Sequence, residues 1–309
     1  MKRDEWWKNF ALGIEVDVSG TFIYNGAKTL HDIPSLNNAV DIFEVLYGFS
    51  VGIERLLKVA IILTEHDDQV DVEEFEKSLL SHNTLELLNR LEQKYSLSIG
   101  PQQREFLALL SIFYKTYRYG RFTSSSVPDI KSERADFLRF ISKYLDIQFD
   151  LDNEFMGIDN TDQIRAFIGR SVKKVSDEIY RVIQDEARRL NIYTYELRSD
   201  SKAIKVFYGE KLDFIDEESK KREILLFLMN PNQPSKHLEA LKTFGVLDFD
   251  PAMAPNYIKA LLNDLYLPYV GDEVDELYYQ VEDVKDRLEM LKVLDSEWLA
   301  YDPDDELDD

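Results

Sequence analysis

A chain of 309 residues with 44% hydrophobic and 12% aromatic side chains has the apolar supply of a folded protein and enough length for two cores, which excludes a wholly disordered chain. A formal charge of −22 repels phosphate at long range and excludes a general nucleic-acid coat, leaving room only for a local basic groove. Without cysteine there is no disulfide framework and no thiolate zinc site, and His31, His66, His82 and His237 are not spaced as metal-ligand pairs; neither a metal nor a cofactor is expected.

In chain order, residues 1–34 read as an N-terminal arm with short strands, because Ile14, Val16 and Val18 alternate and Phe22, Ile23 and Tyr24 follow Ser19-Gly20 as in a hairpin. After Pro34 a long helix runs to about 64, apolar on two faces and therefore central. Its Gly48 and Gly52, four apart, would let a neighbouring helix approach closely. Asn83 followed by Glu86 opens a second helix, a third spans about 102–119 beyond Pro101, and a fourth over 131–145 closes a four-helix bundle at 35–150.

Residues 151–270 read as a mixed helical region. A long helix at 161–190 is followed by two β-prone runs, 192–197 and 203–208, which flank Arg198-Ser199-Asp200-Ser201-Lys202 as a small β-hairpin; helices at about 217–229, 235–244 and 255–265 come next. The remainder, 271–309, is an acidic C-terminal helix and tail. Leu277, Val281, Val284, Leu288 and Leu291 form a two-heptad stripe there, suited to self-association or docking of a protein partner. Residues 272–309 hold 16 acidic side chains against Lys285, Arg287 and Lys292. The fold class is thus mainly α, a helical bundle followed by a second, mostly helical region with a small hairpin. The N-terminus has no apolar core of a leader, and the most apolar stretch, 51–63, is interrupted by Glu54, Arg55 and Lys58; a cytoplasmic protein without a membrane contact is expected.

Three short patterns in the bundle carry a resemblance: Glu54-Arg55-Leu56-Leu57-Lys58 on the long helix, Ser81-His82-Asn83-Thr84-Leu85-Glu86-Leu87-Leu88 opening the next, and Tyr117-Arg118-Tyr119-Gly120-Arg121-Phe122 ending the third. Over roughly 35–147 the chain resembles the HEPN superfamily of helical bundles. Active HEPN ribonucleases carry an Arg followed four to six residues later by His, and no arginine of this chain has a histidine at that spacing. Histidine exchanges a proton near neutral pH, whereas arginine stays charged and can only stabilise phosphate. The resemblance therefore implies a non-catalytic binding or regulatory protein in prokaryotic antiviral defence or a toxin–antitoxin system, with RNA, a nucleotide or a protein as partner.

Its site would comprise Arg118 and Arg121, with Tyr119, His82 and Lys58 as neighbours. The alternatives are an ion pair of the arginines with Glu54 or another acid on the bundle, and a divergent metal-independent ribonuclease that uses His82 or a tyrosine. A third reading is a scaffold that self-associates through the C-terminal helix. The basic residues Arg165, Arg170, Lys173, Lys174, Arg181, Arg188 and Arg189 are interleaved with acids and read as a salt-bridged, solvated helix. No Walker A loop, G-x-G-x-x-G, G-x-S-x-G or H-E-x-x-H occurs in the chain.

Overall fold

A computed structural model describes residues 6–67, 71–118, 122, 133–149, 157–192, 201–230, 236–242, 244–263 and 268–295. The chain divides into two compact units, residues 1–215 and 216–309. Both are helical, and among the described residues there is no strand, only an isolated bridge between Ser35 and Asp159.

The first unit opens with a π turn, Trp7–Ala11, that runs into α1 (Leu12–Asp32). The short strands expected at 14–24 are not formed. Leu12, Val16, Ser19, Ile23, Ala27 and Leu30 are buried at spacings of three and four, a helical period, whereas Ile14 of the apparent alternation is 65% exposed. Tertiary burial along that face overrode the local β preference. Nor is Ser19-Gly20 a turn: a Cβ on Gly20 would stand 2.3 Å from the Cβ of Ala203, so glycine here is what lets two helices touch.

The central helix is α2 (Ala39–Glu65), started by the Asn38 side chain accepting from the Val40 N–H. Most of its residues from Ile42 to Leu63 are buried, which explains why both faces are apolar. It packs along α1 at a close approach set by small residues. A Cβ on Gly48 would lie 3.0 Å from Gly26 Cα, and one on Gly52 would lie 2.8 Å from the Ser19 carbonyl oxygen.

Around this pair lie α3 (Val72–Ser78), α4 (Thr84–Glu92), α5 (Pro101–Ile112), α6 (Glu133–Leu145) and α7 (Asp162–Arg189). A second π turn, Phe113–Tyr117, extends α5. The bundle does not end near 150. Residues 150–156 lie outside the described set, but beyond them Leu36 N–H donates to the Ile158 carbonyl (2.8 Å), and the buried Asn160 amide donates to the Leu30 (2.5 Å) and Ile33 (2.9 Å) carbonyls. The α7 face Ile164, Ile168, Val172, Val175, Ile179 and Ile183 then joins the same core as Phe49, Phe106 and Phe140.

The expected hairpin is absent as well. Residues 193–200 lie outside the described set, and the second β-prone run is α8 (Lys202–Tyr208), whose Ser201 side chain caps the Ala203 N–H. Ala203, Val206 and Phe207 are buried at spacings of three and four against α1 and α7, and the Phe207 ring stacks on Tyr180 at 4.3 Å. A seven-residue β-prone segment becomes helical because that period buries three side chains in an existing core.

The second unit comprises α9 (Ile215–Met229), α10 (Lys236–Lys242), α11 (Ala254–Asn263), α12 (Pro268–Tyr278) and α13 (Val284–Leu291). Tyr257 donates to Glu273 (2.5 Å) and packs edge-on to Phe249, tying α11 to α12. The apolar stripe at 277–291 is not one helix: α12 stops at Tyr278, and Asp283 caps α13 by accepting from the Asp286 N–H (2.9 Å). Among the described residues no helix is long and apolar enough to cross a membrane.

Candidate functional site

The site grows from one buried carboxylate. Glu54 lies in the middle of α2 and is only 6% exposed, a position where an ionised group needs close partners. One turn on, Lys58 Nζ donates to Glu54 Oε1 at 2.7 Å, the helical i, i+4 geometry. From just before α4, His82 Nδ1 meets the same oxygen at 3.0 Å. The His82 ring packs against Tyr114 with centroids 4.9 Å apart, and the Arg118 guanidinium lies 4.3 Å from the Tyr114 ring centre and 5.7 Å from that of Tyr47.

The π turn supplies Tyr114 and leads directly into Arg118. A π turn widens the helix by one residue and shifts the side chains that follow, a device often found at binding sites. Burial raises the Tyr114 pKa, and the nearby Glu54 charge adds to it while Arg118 partly offsets both; the group stays a neutral phenol.

These residues line a cleft of about 570 Å³. Trp7 of the first π turn, Glu15 and Phe22 of α1, and Val51, Val59 and Ile62 of α2 line the same cleft. Arg55 pairs with Glu15 across the α1–α2 contact. Arg55, Lys58 and Arg118 thus set three fixed positive charges against the carboxylates of Glu15 and Glu54, a locally positive cleft in a chain of net −22.

Three of the five residues expected to form a site, His82, Lys58 and Arg118, therefore meet in one cleft. The other two, Tyr119 and Arg121, lie outside the described residues. The remaining tyrosine of this turn is committed elsewhere: the Tyr117 hydroxyl donates to Asp136 Oδ2 (2.5 Å), and burial together with that bond pushes its pKa far up. Sequence reasoning missed Trp7, Glu15 and Phe22, because they belong to a segment read as an arm. The spacing of four between Glu54 and Lys58 is a signal that could have found their pair; the Glu54–His82 pair carries no local signal.

A second, more open cleft of about 860 Å³ sits at the C-terminal end of α2, lined by Lys8, His66, Lys94, Tyr95, Glu186 and Arg189 among others. Its charges are already used. Lys8 and Lys94 donate to the His66 (2.7 Å) and Thr64 (3.1 Å) carbonyls, where cations complement the helix end. Glu186 binds Arg189 and the Tyr95 hydroxyl, and burial followed by that bond lifts Tyr95 to about 12.

Most of the basic run on α7 is likewise internally paired: Arg165 with Asp162 (3.1 Å), Lys174 and Arg181 with Glu178 (2.9 Å each), Arg188 with Asp185 (3.3 Å) and Lys173 with Asp177. Among the described residues no group of three or more His, Asp or Glu side chains is placed to hold a metal ion. Comparison with protein-family models, with characterised proteins and with solved structures finds no match for this chain.

Proposed function

We propose that this chain is a non-catalytic, HEPN-like binding protein whose α2–α5 cleft takes a phosphate-bearing ligand, RNA or a nucleotide, in a prokaryotic defence or toxin–antitoxin setting. The observation that carries the site is Arg118 stacked on Tyr114 beside Lys58, in a cleft whose charge opposes that of the whole molecule. A guanidinium held against a ring has lost little further freedom on binding, and its planar fork matches phosphate oxygens. The setting rests on the sequence resemblance alone. Electrophoretic shift of single-stranded RNA tests the site: Arg118→Ala should lower affinity about tenfold, the worth of one charge-assisted contact, and equal binding by this variant and the unaltered chain would remove the cleft from consideration.

One observation favours a second reading, a metal-independent ribonuclease. A carboxylate at His82 Nδ1 holds the proton on that nitrogen and leaves Nε2 as the basic one, the orientation a general base needs. Cleavage of RNA in EDTA that disappears in His82→Ala and falls steeply in Glu54→Gln would support this reading. No cleavage across substrates and pH would leave the pair with a binding role.

A further inference from the structure

We propose that Trp7 is the stacking platform for a nucleobase in this cleft, so that the ligand is recognised by base and phosphate together, at Trp7 and Arg118, rather than as an isolated phosphate. The inference rests on the phosphate-site reading above and names the part of the ligand that lies beyond the phosphate.

Of the four Phe, Tyr and Trp rings that line the cleft, two already hold the Arg118 guanidinium. Tyr114 has the Arg118 guanidinium at 4.3 Å and the His82 ring at 4.9 Å, while Tyr47 is stacked with Phe43 at 6.2 Å and has Arg118 at 5.7 Å. The other two rings of the cleft are Trp7 and Phe22. Indole is the larger π surface, and stacking on it tolerates any base.

The way Trp7 is held supplies an independent reason. It sits in a π turn, and its ring meets His66 edge-on, centroids 5.2 Å apart at 88°. His66 is 4% exposed, and among the described residues neither of its ring nitrogens has a hydrogen-bond partner; it also meets Phe75 edge-on, at 5.4 Å. A buried imidazole that forgoes both hydrogen bonds is uncommon and calls for an explanation. Here its rôle is that of an aromatic wedge fixing the indole. Beside it, Lys8 Nζ donates to the His66 carbonyl at 2.7 Å and anchors the turn to the end of α2. Ring, wedge and anchor hold Trp7 at the cleft before any ligand arrives, which lowers the ordering cost of stacking.

The full chain should be titrated with AMP, a short oligoadenylate and inorganic phosphate, with calorimetry and intrinsic tryptophan emission as readouts. Trp7→Leu removes the π surface, Trp7→Phe retains a smaller one, and Arg118→Ala removes the phosphate contact. Trp7→Leu should weaken AMP and oligoadenylate about tenfold and leave inorganic phosphate unchanged. Trp7→Phe should hold affinity within about threefold while most of the ligand-induced quenching disappears. Tighter binding of oligoadenylate than of AMP identifies RNA as the source of the base, and the reverse identifies a free nucleotide. AMP binding equal in Trp7→Leu and the unaltered chain, with Arg118→Ala impaired, overturns the platform and leaves the phosphate site standing. Loss of phosphate binding in Trp7→Leu overturns it too, by showing a structural effect. Should Trp7→Leu not fold, quenching retained in Trp7→Phe overturns the proposal by itself. An unaltered chain that binds none of the three ligands removes the phosphate site and the platform with it.

Discussion

His82 and Glu54 are 28 residues apart in sequence, yet His82 Nδ1 lies 3.0 Å from Glu54 Oε1, the same oxygen that accepts from Lys58. The carboxylate is buried and the imidazole half exposed, so Glu54 is the anchor and His82 the group it aims. Glu54→Gln should therefore lower stability by about 1–2 kcal/mol, mostly through the shielded Lys58 pair. The coupling between Glu54→Gln and His82→Ala in a double-mutant cycle should stay below about 1 kcal/mol, because water screens the imidazole. Urea denaturation of the four variants measures both quantities, and a larger coupling would show His82 to be a structural part of the core.

Gly52 marks the closest packing of α1 on α2. An added Cβ would meet Ile23 Cγ1 at 2.5 Å, the Ser19 carbonyl oxygen at 2.8 Å and the Ile23 nitrogen at 2.9 Å, two of them backbone atoms that cannot step aside. Alanine gains about 1 kcal/mol of helix propensity over glycine, but overpacking against a fixed backbone costs more. Gly52→Ala should destabilise by about 1–2 kcal/mol, whereas Gly245→Ala, where a Cβ meets nothing within 4 Å, should change stability by less than about 0.5 kcal/mol. Thermal unfolding of both variants measures this, and a gain in Gly52→Ala would show helix propensity outweighing the overlap.

His66 offers a test with the opposite sign. Since neither ring nitrogen is bonded among the described residues, His66→Phe keeps the edge-on contacts to Trp7 and Phe75 and removes two buried polar atoms. Stability should hold or rise by up to about 1 kcal/mol, while His66→Ala should lose about 2–3 kcal/mol through the cavity it leaves. A loss in His66→Phe as large as that in His66→Ala would mean that the nitrogens are hydrogen-bonded in solution.

Acid should weaken the α7 face through Glu178. Burial disfavours its charge, but the Ser98 N–H (3.0 Å), Arg181 and Lys174 together outweigh that and hold the carboxyl at about 2, below the usual 4.5. A folded-state value below the unfolded one adds stability that is fully present above pH 4.5 and is lost as pH falls from there towards 2. Because both cations are about half exposed, the contribution is about 1–2 kcal/mol at neutral pH. Glu178→Gln should show that deficit at pH 7 in urea melts and converge on the unaltered chain near pH 2; a constant deficit at all pH values would assign it to packing instead.

The interrupted stripe at 277–291 bears on self-association. With Leu277 on α12 and Val284, Leu288 and Leu291 on α13, no continuous two-heptad seam exists to zip with a second copy. Leu288→Asp should leave the molar mass by light scattering unchanged. A dimer that dissociates in this variant would restore the scaffold reading.

What could be read from the chain alone was whatever depends on local spacing. The central α2 was visible because apolar residues cover both its faces, and α4 because Asn83 caps it. The absence of a histidine in register after Arg118 is a property of the letters themselves. What only the tertiary structure decided lies where local preference and burial disagree. Ile14, Val16 and Val18 alternate like a strand, yet 12–32 is a helix because Val16, Ile23, Ala27 and Leu30 share one face against α2. Likewise 202–208 is helical because Ala203 must meet Gly20. That second correction brought residues up to 215 into one core, and the first put Trp7, Glu15 and Phe22 in the same cleft as Arg118. A cleft is made by residues far apart in sequence, and proximity of that kind is decided by which surfaces pack most apolar area, not by periodicity along the chain.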